Sequence, residues 1–249
     1  MHHAHGILEN SNAVIVPSVK NHESLPFTIR VVHTASALDK AVRIRQQAYN
    51  RHVPELARML GAPETYDNEV GTVILLAESK LDGEPVGTMR IQTNRHNPLN
   101  IEQSIVLPDW LQGHSMAEAT RLGISRGGIG RLAKLALFKA FYQYCLESGI
   151  DWMVITARSP LDRQYESLMF REVLPGAGYI PMRHIAGIPH RAMALDVQGA
   201  QEMWEQAGHP LLKFMVQTQH PDIRIEATPR AVPVAIRPAR LDEVGNHAQ

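Results

Sequence analysis

The sequence predicts an α/β protein, of the α+β mixed-sheet kind, with helices on both faces of one sheet and an extension at either end. Three observations carry this. Over residues 28–197 the chain reads β-α-β-β-(loop)-β-α-β-α-β-β, so the early strands are consecutive hairpin partners and the later ones alternate with helices. Asp82-Gly83, between two apolar runs, is a strong hairpin signal. The segment from Arg131 to Ser148 is apolar nearly all round, as a helix packed against a sheet should be. With 249 residues, and about 150 per domain as a guide, one elaborated domain is expected.

Residues 1–27 read as an extension, interrupted by Pro17 and Pro26 and lacking a helical period. Thr28–Thr34 (TIRVVHT) is a short β-rich run. Ser36 and Asp39 read as the two halves of a capping box. The helix they open carries Leu38, Val42, Arg45, Tyr49 and His52 at three- and four-residue steps, and should end near Arg58–Leu60, before Gly61 and Pro63. Ala62–Val70 is acidic, through Glu64, Asp67 and Glu69. Thr72–Ser79 (TVILLAES) and Pro85–Thr93 (PVGTMRIQT) are the hairpin strands, and residues 94–115 read as a loop. Met116–Ser125 (MAEATRLGIS) is a strand holding Glu118 and Arg121, followed by an RGGIG turn and the helix Arg131–Ser148, with Lys139, Gln143 and Glu147 as a thin wet stripe. Ile150–Ala157 (IDWMVITA) is a buried strand. Ser159-Pro160 reads as the N-cap and first residue of a helix reaching Phe170. Tyr179–Ile185 and His190–Val197 form a last strand pair. Residues 198–219 read as helical, broken near Gly208-His209-Pro210, and 220–249 as a mobile tail in which Val232–Ile236 could dock as a strand.

Twenty-five Lys and Arg balance 25 Asp and Glu, so no basic field calls for nucleic acid. The 13 His would turn the molecule cationic in mild acid. The opening MHHAHG reads as a floppy native start in preference to a tag or metal-binding tract. The single cysteine, Cys145, excludes an internal disulfide and a thiolate zinc site. His184 and His190 lack acidic or thiolate companions, so no metal is expected. No apolar run reaches the roughly 18 residues of a membrane span, and Met1–Asn10 lacks a signal-peptide pattern; the expected location is the cytoplasm. No G-x-S-x-G is present and Cys145 lies on an apolar helix, so acylation of the protein itself is not expected.

The element order is similar to the acyl-transferring fold of the GNAT superfamily, and several residues narrow the resemblance. Arg45 and Tyr49 sit four apart on the first helix, an acidic cluster precedes the second strand, Arg90 lies in the run GTMRI, and Glu118 and Arg121 form E-A-T-R. With LALFKAFYQYCLESGIDWMVITA, SPLDRQYESLMF and PHRAMALDV, the chain resembles the N-acyl amino acid synthases of the FeeM type and, less closely, the acyl-homoserine-lactone (autoinducer) synthases, over Thr28–Val197. Three departures stand out. Pro54 and Glu55 occupy the place of an aromatic that autoinducer synthases carry, Ser125 replaces the first residue of the [QR]-x-x-G-x-G loop, and Met169 replaces the glycine of Y-x-x-x-G-F.

The resemblance implies an enzyme that moves an acyl group from an acyl carrier protein (ACP) or acyl-CoA thioester to the amine of an amino acid, with no permanently bound cofactor. The carrier protein is then an expected partner and an amino acid or related amine the acceptor. Glu118 is suited to take the proton of an incoming ammonium, and Arg121 to grip a carboxylate in a fork. Strict alternation puts the two on opposite sheet faces unless a bulge intervenes, and a buried structural Glu–Arg network is the plain alternative. Tyr165, five residues before Phe170, is suited to protonate the departing thiolate, or is a core aromatic. The resemblance places Asp67 and Arg90 at the acceptor site, and Arg45 and Tyr49 over the acyl pocket or amino acid; a merely half-wet helix face is the other reading. Backbone N–H groups near Leu122 and Ile124 would polarise the thioester oxygen. Gly128, Gly130 and Arg131, at the start of a helix, would receive the donor's phosphate, or else serve turn geometry alone. The rival functions are an autoinducer synthase and a catalytically silent sensor of an acyl carrier or ligand.

Overall fold

A computed structural model describes residues 21–226. The chain runs through β1 (Asn21–His22), β2 (Phe27–Val31), α1 (Ala35–Asn50), α2 (Pro54–Met59), β3 (Thr72–Ser79), β4 (Pro85–Thr93), β5 (Met116–Ile124), α3 (Gly127–Glu147), β6 (Trp152–Ala157), α4 (Leu161–Ser167), β7 (Arg171–Glu172), β8 (Ile180–Pro181), β9 (Pro189–Asp196), α5 (Ala200–Gln206), β10 (Thr218–Gln219) and β11 (Ile223–Arg224). The main sheet has the order β11-β2-β3-β4-β5-β6-β9-β7, with β8 beside β9. Strands β2 to β5 are antiparallel, β5 and β6 are parallel, and β6 and β9 are antiparallel, so the sheet is mixed as expected.

Alternation along β3 shows how the layers form. Ile74 and Leu76 pack on Leu38, Ala41 and Val42 of α1, whereas Leu75 and Ala77 join the larger core with Ala133, Leu137 and Phe141 of α3. Side chains two residues apart share a face, so one strand feeds both hydrophobic layers. Two close approaches set the helices. A Cβ at Gly123 would stand 2.9 Å from Arg45 Cα, so α1 can lie directly on β5 only because that residue is glycine. A Cβ at Gly87 would meet Leu137 Cδ1 at 3.0 Å on the other side.

Several boundaries differ from the sequence expectation. The first helix is capped by Thr34, whose Oγ1 accepts from Ala37 N–H at 3.2 Å, not by Ser36. It divides in two because Pro54 drives Val53 out of the helical region (φ −143°, ψ 72°). Helix α3 begins at Gly127, a turn before Arg131. Helix α4 starts after Pro160 and stops at Ser167, with Met169 at φ +67° turning the chain into the short strand β7, which sequence patterning did not reveal. Residues 179–185 hold only two strand residues and then a 3₁₀ turn at Arg183–Ile185. In the 198–219 segment, α5 ends at Gln206 and a π-helical turn covers Lys213–Gln217.

Lys139 is not in a wet stripe. It is 1% exposed, and its Nζ donates to the carbonyls of Phe214 and Thr218 at 2.7 and 2.5 Å, so the returning C-terminal segment roofs that face of α3. The first residues of the expected tail are also packed. Ile223 and Arg224 pair in parallel with Ile29 and Arg30, and Asp222 accepts from Leu25 N–H at 2.8 Å and pairs with Lys80 at 2.8 Å. This covers the β2 edge, which would otherwise present unpaired backbone. The MHHAHG opening and the possible strand Val232–Ile236 lie outside the described residues. Among the described residues, no helix is long and apolar enough to cross a membrane.

Candidate active site

Two irregularities of β5 create the site. Strands β5 and β6 pair only from Met116–Ala119 to Trp152–Ile155, although β5 continues to Ile124 and β6 to Ala157. Beyond that point the strands part, and a cavity of about 340 Å³ opens between them. Leu122 and Thr156 line it from the parted strands, Tyr49 and Leu56 from the α1–α2 side, and Lys134 and Tyr165 from the α3–α4 side. The second irregularity is a bulge. Arg90 pairs with Thr120 but Thr88 pairs with Gly123, so two residues, Arg121 and Leu122, face Met89 alone. Arg121 takes φ +55° there. That conformation is costly for a side-chain-bearing residue and is typical of functional positions.

The bulge swings Arg121 into a buried ionic network. Arg45 on α1 donates both Nη atoms to Asp67 at 3.0 Å, and Nη1 also reaches Glu64 at 3.1 Å. Arg90 on β4 donates Nη1 to Glu64 and Asp67 at 3.1 and 3.2 Å, and Nε to Thr120 Oγ1 at 3.1 Å. Arg121 grips Glu64 through Nε and Nη2, both at 2.7 Å, and donates to the His184 carbonyl at 3.3 Å. Arg45, Arg90 and Asp67 are wholly buried. Burial alone would raise the Glu64 carboxyl; the Arg121 hydrogen bonds and the three guanidiniums outweigh it and hold it down at about 2. Three guanidiniums thus meet two carboxylates, a surplus of one positive charge beside the cavity. Arg45 Nε and Arg90 Nη2 have no hydrogen-bond partner among the described residues. Of the three arginines, Arg121 is the one that lines the cavity, and a carboxylate ligand beside it would answer the surplus charge.

Glu64 was not among the residues singled out by sequence, although the acidic stretch was. Its signal is local: it is the N-cap of the 3₁₀ turn Thr65–Asn68, where Asp67 Oδ2 accepts from Glu64 N–H at 2.8 Å. The E-x-x-D spacing aims both carboxylates at the three arginines. His184, whose carbonyl receives Arg121, belongs to the same site, and no group of three potential metal ligands occurs among the described residues. Its imidazole stands 3.5 Å from Thr156 Oγ1, and burial together with Arg121 presses it down to about 3, so it is neutral at ordinary pH.

Glu118 lies one rung deeper. It pairs across the sheet with Gln92 and Val154, is wholly buried, and does not line the cavity, whereas Thr120, two residues on, does. Burial raises its carboxyl to about 7, against the pull of Ile101 and Asn100 N–H groups and of Arg90. Glu118 and Arg121 share a neighbourhood without pairing, since Arg121 belongs to Glu64. Tyr49 reaches the cavity beside Arg121. Tyr165 packs between Phe138 and Phe170, with ring centroids 5.0 and 5.2 Å away, and also forms part of the cavity wall. Burial drives its hydroxyl far upward, so it stays protonated. Cys145 is buried and its thiol is likewise raised, which agrees with a bystander.

The glycine turn joins Ile124 of β5 to α3, whose Lys134 lines the cavity. Gly127 has φ +86°, and a Cβ at Gly130 would stand 1.9 Å from the Ser125 carbonyl oxygen. No side chain caps α3, which leaves its first N–H groups, at Gly128 to Arg131, without a side-chain acceptor. Arg126 depresses Arg51, and Arg131 depresses Lys134, after burial in each case, so cations crowd this end. Leu122 and Ile124 both line the cavity, but the Ile124 carbonyl is already taken by Arg51 Nη2 at 2.5 Å. Gly130→Ala is expected to cost about 1–3 kcal/mol through this overlap and to raise the KM for the acyl donor, as thermal melts and initial rates would show.

Residues 40–196 match the family model of N-acyl amino acid synthase FeeM. Among solved structures the chain is similar to FeeM, an N-acyl amino acid synthase from uncultured soil microbes, with 20% identity and a TM-score of 0.57 over 76% of this chain and 98% of that one. It is similar to BjaI, a CoA-dependent acyl-homoserine lactone synthase, with 18% identity and a TM-score of 0.51 over 80% and 93%. The same score, 0.51 at 17% identity, over 70% and 93%, relates it to the acyl-homoserine lactone synthase LasI. These likenesses establish a shared fold. No curated protein matches the chain in sequence.

Proposed function

Because the chain belongs to the FeeM family of N-acyl amino acid synthases, it is an amide-forming N-acyltransferase of GNAT-like fold, and we propose that it passes a fatty acyl group from a thioester to the α-amine of an amino acid. The observation that carries this reading is the two-ended cavity at the β5–β6 parting. One wall carries Arg121, the cavity-facing member of a network with one surplus positive charge, for a carboxylate, and the other carries Arg51 and Lys134, cations close to the start of α3, for a phosphate.

The acceptor's carboxylate is held beside Arg121, with Arg45, Arg90, Glu64 and Asp67 fixing that arginine from behind and Tyr49 next to it on the cavity wall. The acceptor arrives as an ammonium ion. Glu118, set back from the cavity, takes one proton through a bridging water, which frees the nitrogen lone pair. The amine attacks the thioester carbonyl and a C–N bond forms. Backbone N–H groups near Leu122–Ile124 stabilise the oxyanion. Collapse breaks the C–S bond, the thiolate takes its proton from the Tyr165 hydroxyl, and the proton that the amide nitrogen sheds restores the phenol. The donor's phosphate, on phosphopantetheine or CoA, sits at Gly128–Arg131. The cationic end formed by Arg51, Arg126, Arg131 and Lys134 suits either an acyl carrier protein or acyl-CoA.

With the Glu118 carboxyl at about 7, kcat/KM is expected to fall about tenfold per pH unit below that point and to level off above it, because the base must be ionised to act. The donor and acceptor are identified by offering one acyl chain, on CoA or on carrier protein, with each proteinogenic amino acid and following thiol release. Release that requires an amino acid supports the proposal. Release that requires S-adenosylmethionine places the chain with the autoinducer synthases. Donor binding without release under any condition leaves the sensor reading.

A further inference from the structure

The loop between β4 and β5 closes over Glu118 from the side away from the cavity. Ile101 N–H donates to Glu118 Oε2 at 3.3 Å, and Asn100 is the residue just before it in the loop. Asn100 is itself anchored: it is 1% exposed, and its Nδ2 donates to Gln92 Oε1 at 2.9 Å, on the residue that faces Glu118 across the sheet. Asn100 O also receives the Ser104 hydroxyl at 3.2 Å, which ties down the turn that follows. By contrast, Glu118 Oε1 is buried and has no hydrogen-bond partner among the described residues. Around these groups the charged neighbour is Arg90 on β4; β6 contributes Val154, the loop Leu99 and Ile101, and β5 itself Met116.

A buried carboxylate with one oxygen clamped and the other bare is an oriented base. Carboxyl groups rotate freely when unconstrained, and one held from behind keeps a chosen lone pair in position. The Ile101 peptide donor also favours the charged form, so it offsets part of the burial.

We propose that Asn100 is a positioning residue for Glu118: bonded to Gln92, it anchors the β4–β5 loop so that Ile101 N–H holds Oε2 and Oε1 is left to accept the proton. The inference rests on Glu118 being the base. In the step itself an N–H bond of the ammonium breaks and an O–H bond forms, by way of the water, on Oε1. Loosening a donor to the charged form makes the carboxyl harder to ionise, so the acid limb should move to higher pH.

The test is the pH profile of kcat/KM for wild type, Asn100→Ala, Gln92→Ala and Glu118→Gln. In Asn100→Ala the midpoint of the acid limb is expected to rise by about 0.5–1 pH unit, with most of the rate regained at high pH. Gln92→Ala, which frees Asn100 without touching Glu118's loop donors, should shift it the same way by less, and carries the test if Asn100→Ala does not fold. Glu118→Gln should lose the limb altogether. A rate lowered equally at every pH, or a midpoint unmoved or moved downward in both amide variants, overturns the assignment of Asn100 while leaving the base in place. A limb that persists in Glu118→Gln overturns the base, and the role of Asn100 with it.

Discussion

Glu118→Gln is expected to lower kcat/KM by about 10²–10⁴, the usual contribution of a general base, and at the same time to make the protein more stable at pH 8. The second half follows from burial. The folded carboxyl is raised from 4.5 to about 7, so between those values the native state holds a proton that the unfolded chain has lost. Wild-type stability therefore falls as pH rises through this window and stays lower above it. Gln does not titrate, and escapes a penalty of roughly 2–4 kcal/mol above pH 7. Melting curves at pH 5 and pH 8 would show the two proteins converging in acid and separating by several degrees in base. A structural Glu118, retained for its place in an ion network, would give the opposite sign at pH 8 and little loss of rate.

Asp67→Asn should be the most damaging single change to stability. Asp67 is wholly buried, receives both Nη atoms of Arg45, one of Arg90 and the Glu64 N–H, and has the same shape as Asn. Removing its charge leaves three guanidiniums to one carboxylate. Breaking such a buried pair from one side costs about 3–5 kcal/mol, or on the order of 10 °C in Tm for a chain of this size. Glu84→Gln is the control, since its pair with Arg43 is exposed on both sides and should change Tm very little. A small effect at Asp67 would mean that the arginines are neutralised by groups other than Glu64 and Asp67.

Much of the scaffold was legible because its signals are local. The Asp82-Gly83 hairpin forms where the turn chemistry puts it, with Gly83 at φ +70°, and the apolar runs at 72–79, 85–93, 116–124 and 152–157 are all strands of the sheet. What stayed hidden depends on contacts between distant residues. Alternation along MAEATRLGI continues unbroken through Arg121, so nothing local announces the bulge that turns it onto the face of Thr120; Gly123, where a Cβ would stand 2.9 Å from Arg45 Cα, is the one cue. Lys139 reads as solvated because its partners, Phe214 and Thr218, are some 75 or more residues away. The same holds for β11, which finds β2 nearly two hundred residues upstream. In the site, Arg45, Asp67, Arg90 and Arg121 were recognisable as a set, and the structure joins them. Glu64, the carboxylate all three arginines share, carried only the weak mark of a helix-cap residue.

The most direct test of amide formation on an amino acid is mass spectrometry of organic extracts from cells producing the protein, against cells producing Arg121→Ala. The predicted result is a series of N-acyl amino acids in the first extract that is missing from the second. Acylated lactones in their place, or extracts that match while both proteins are present and folded, would contradict it.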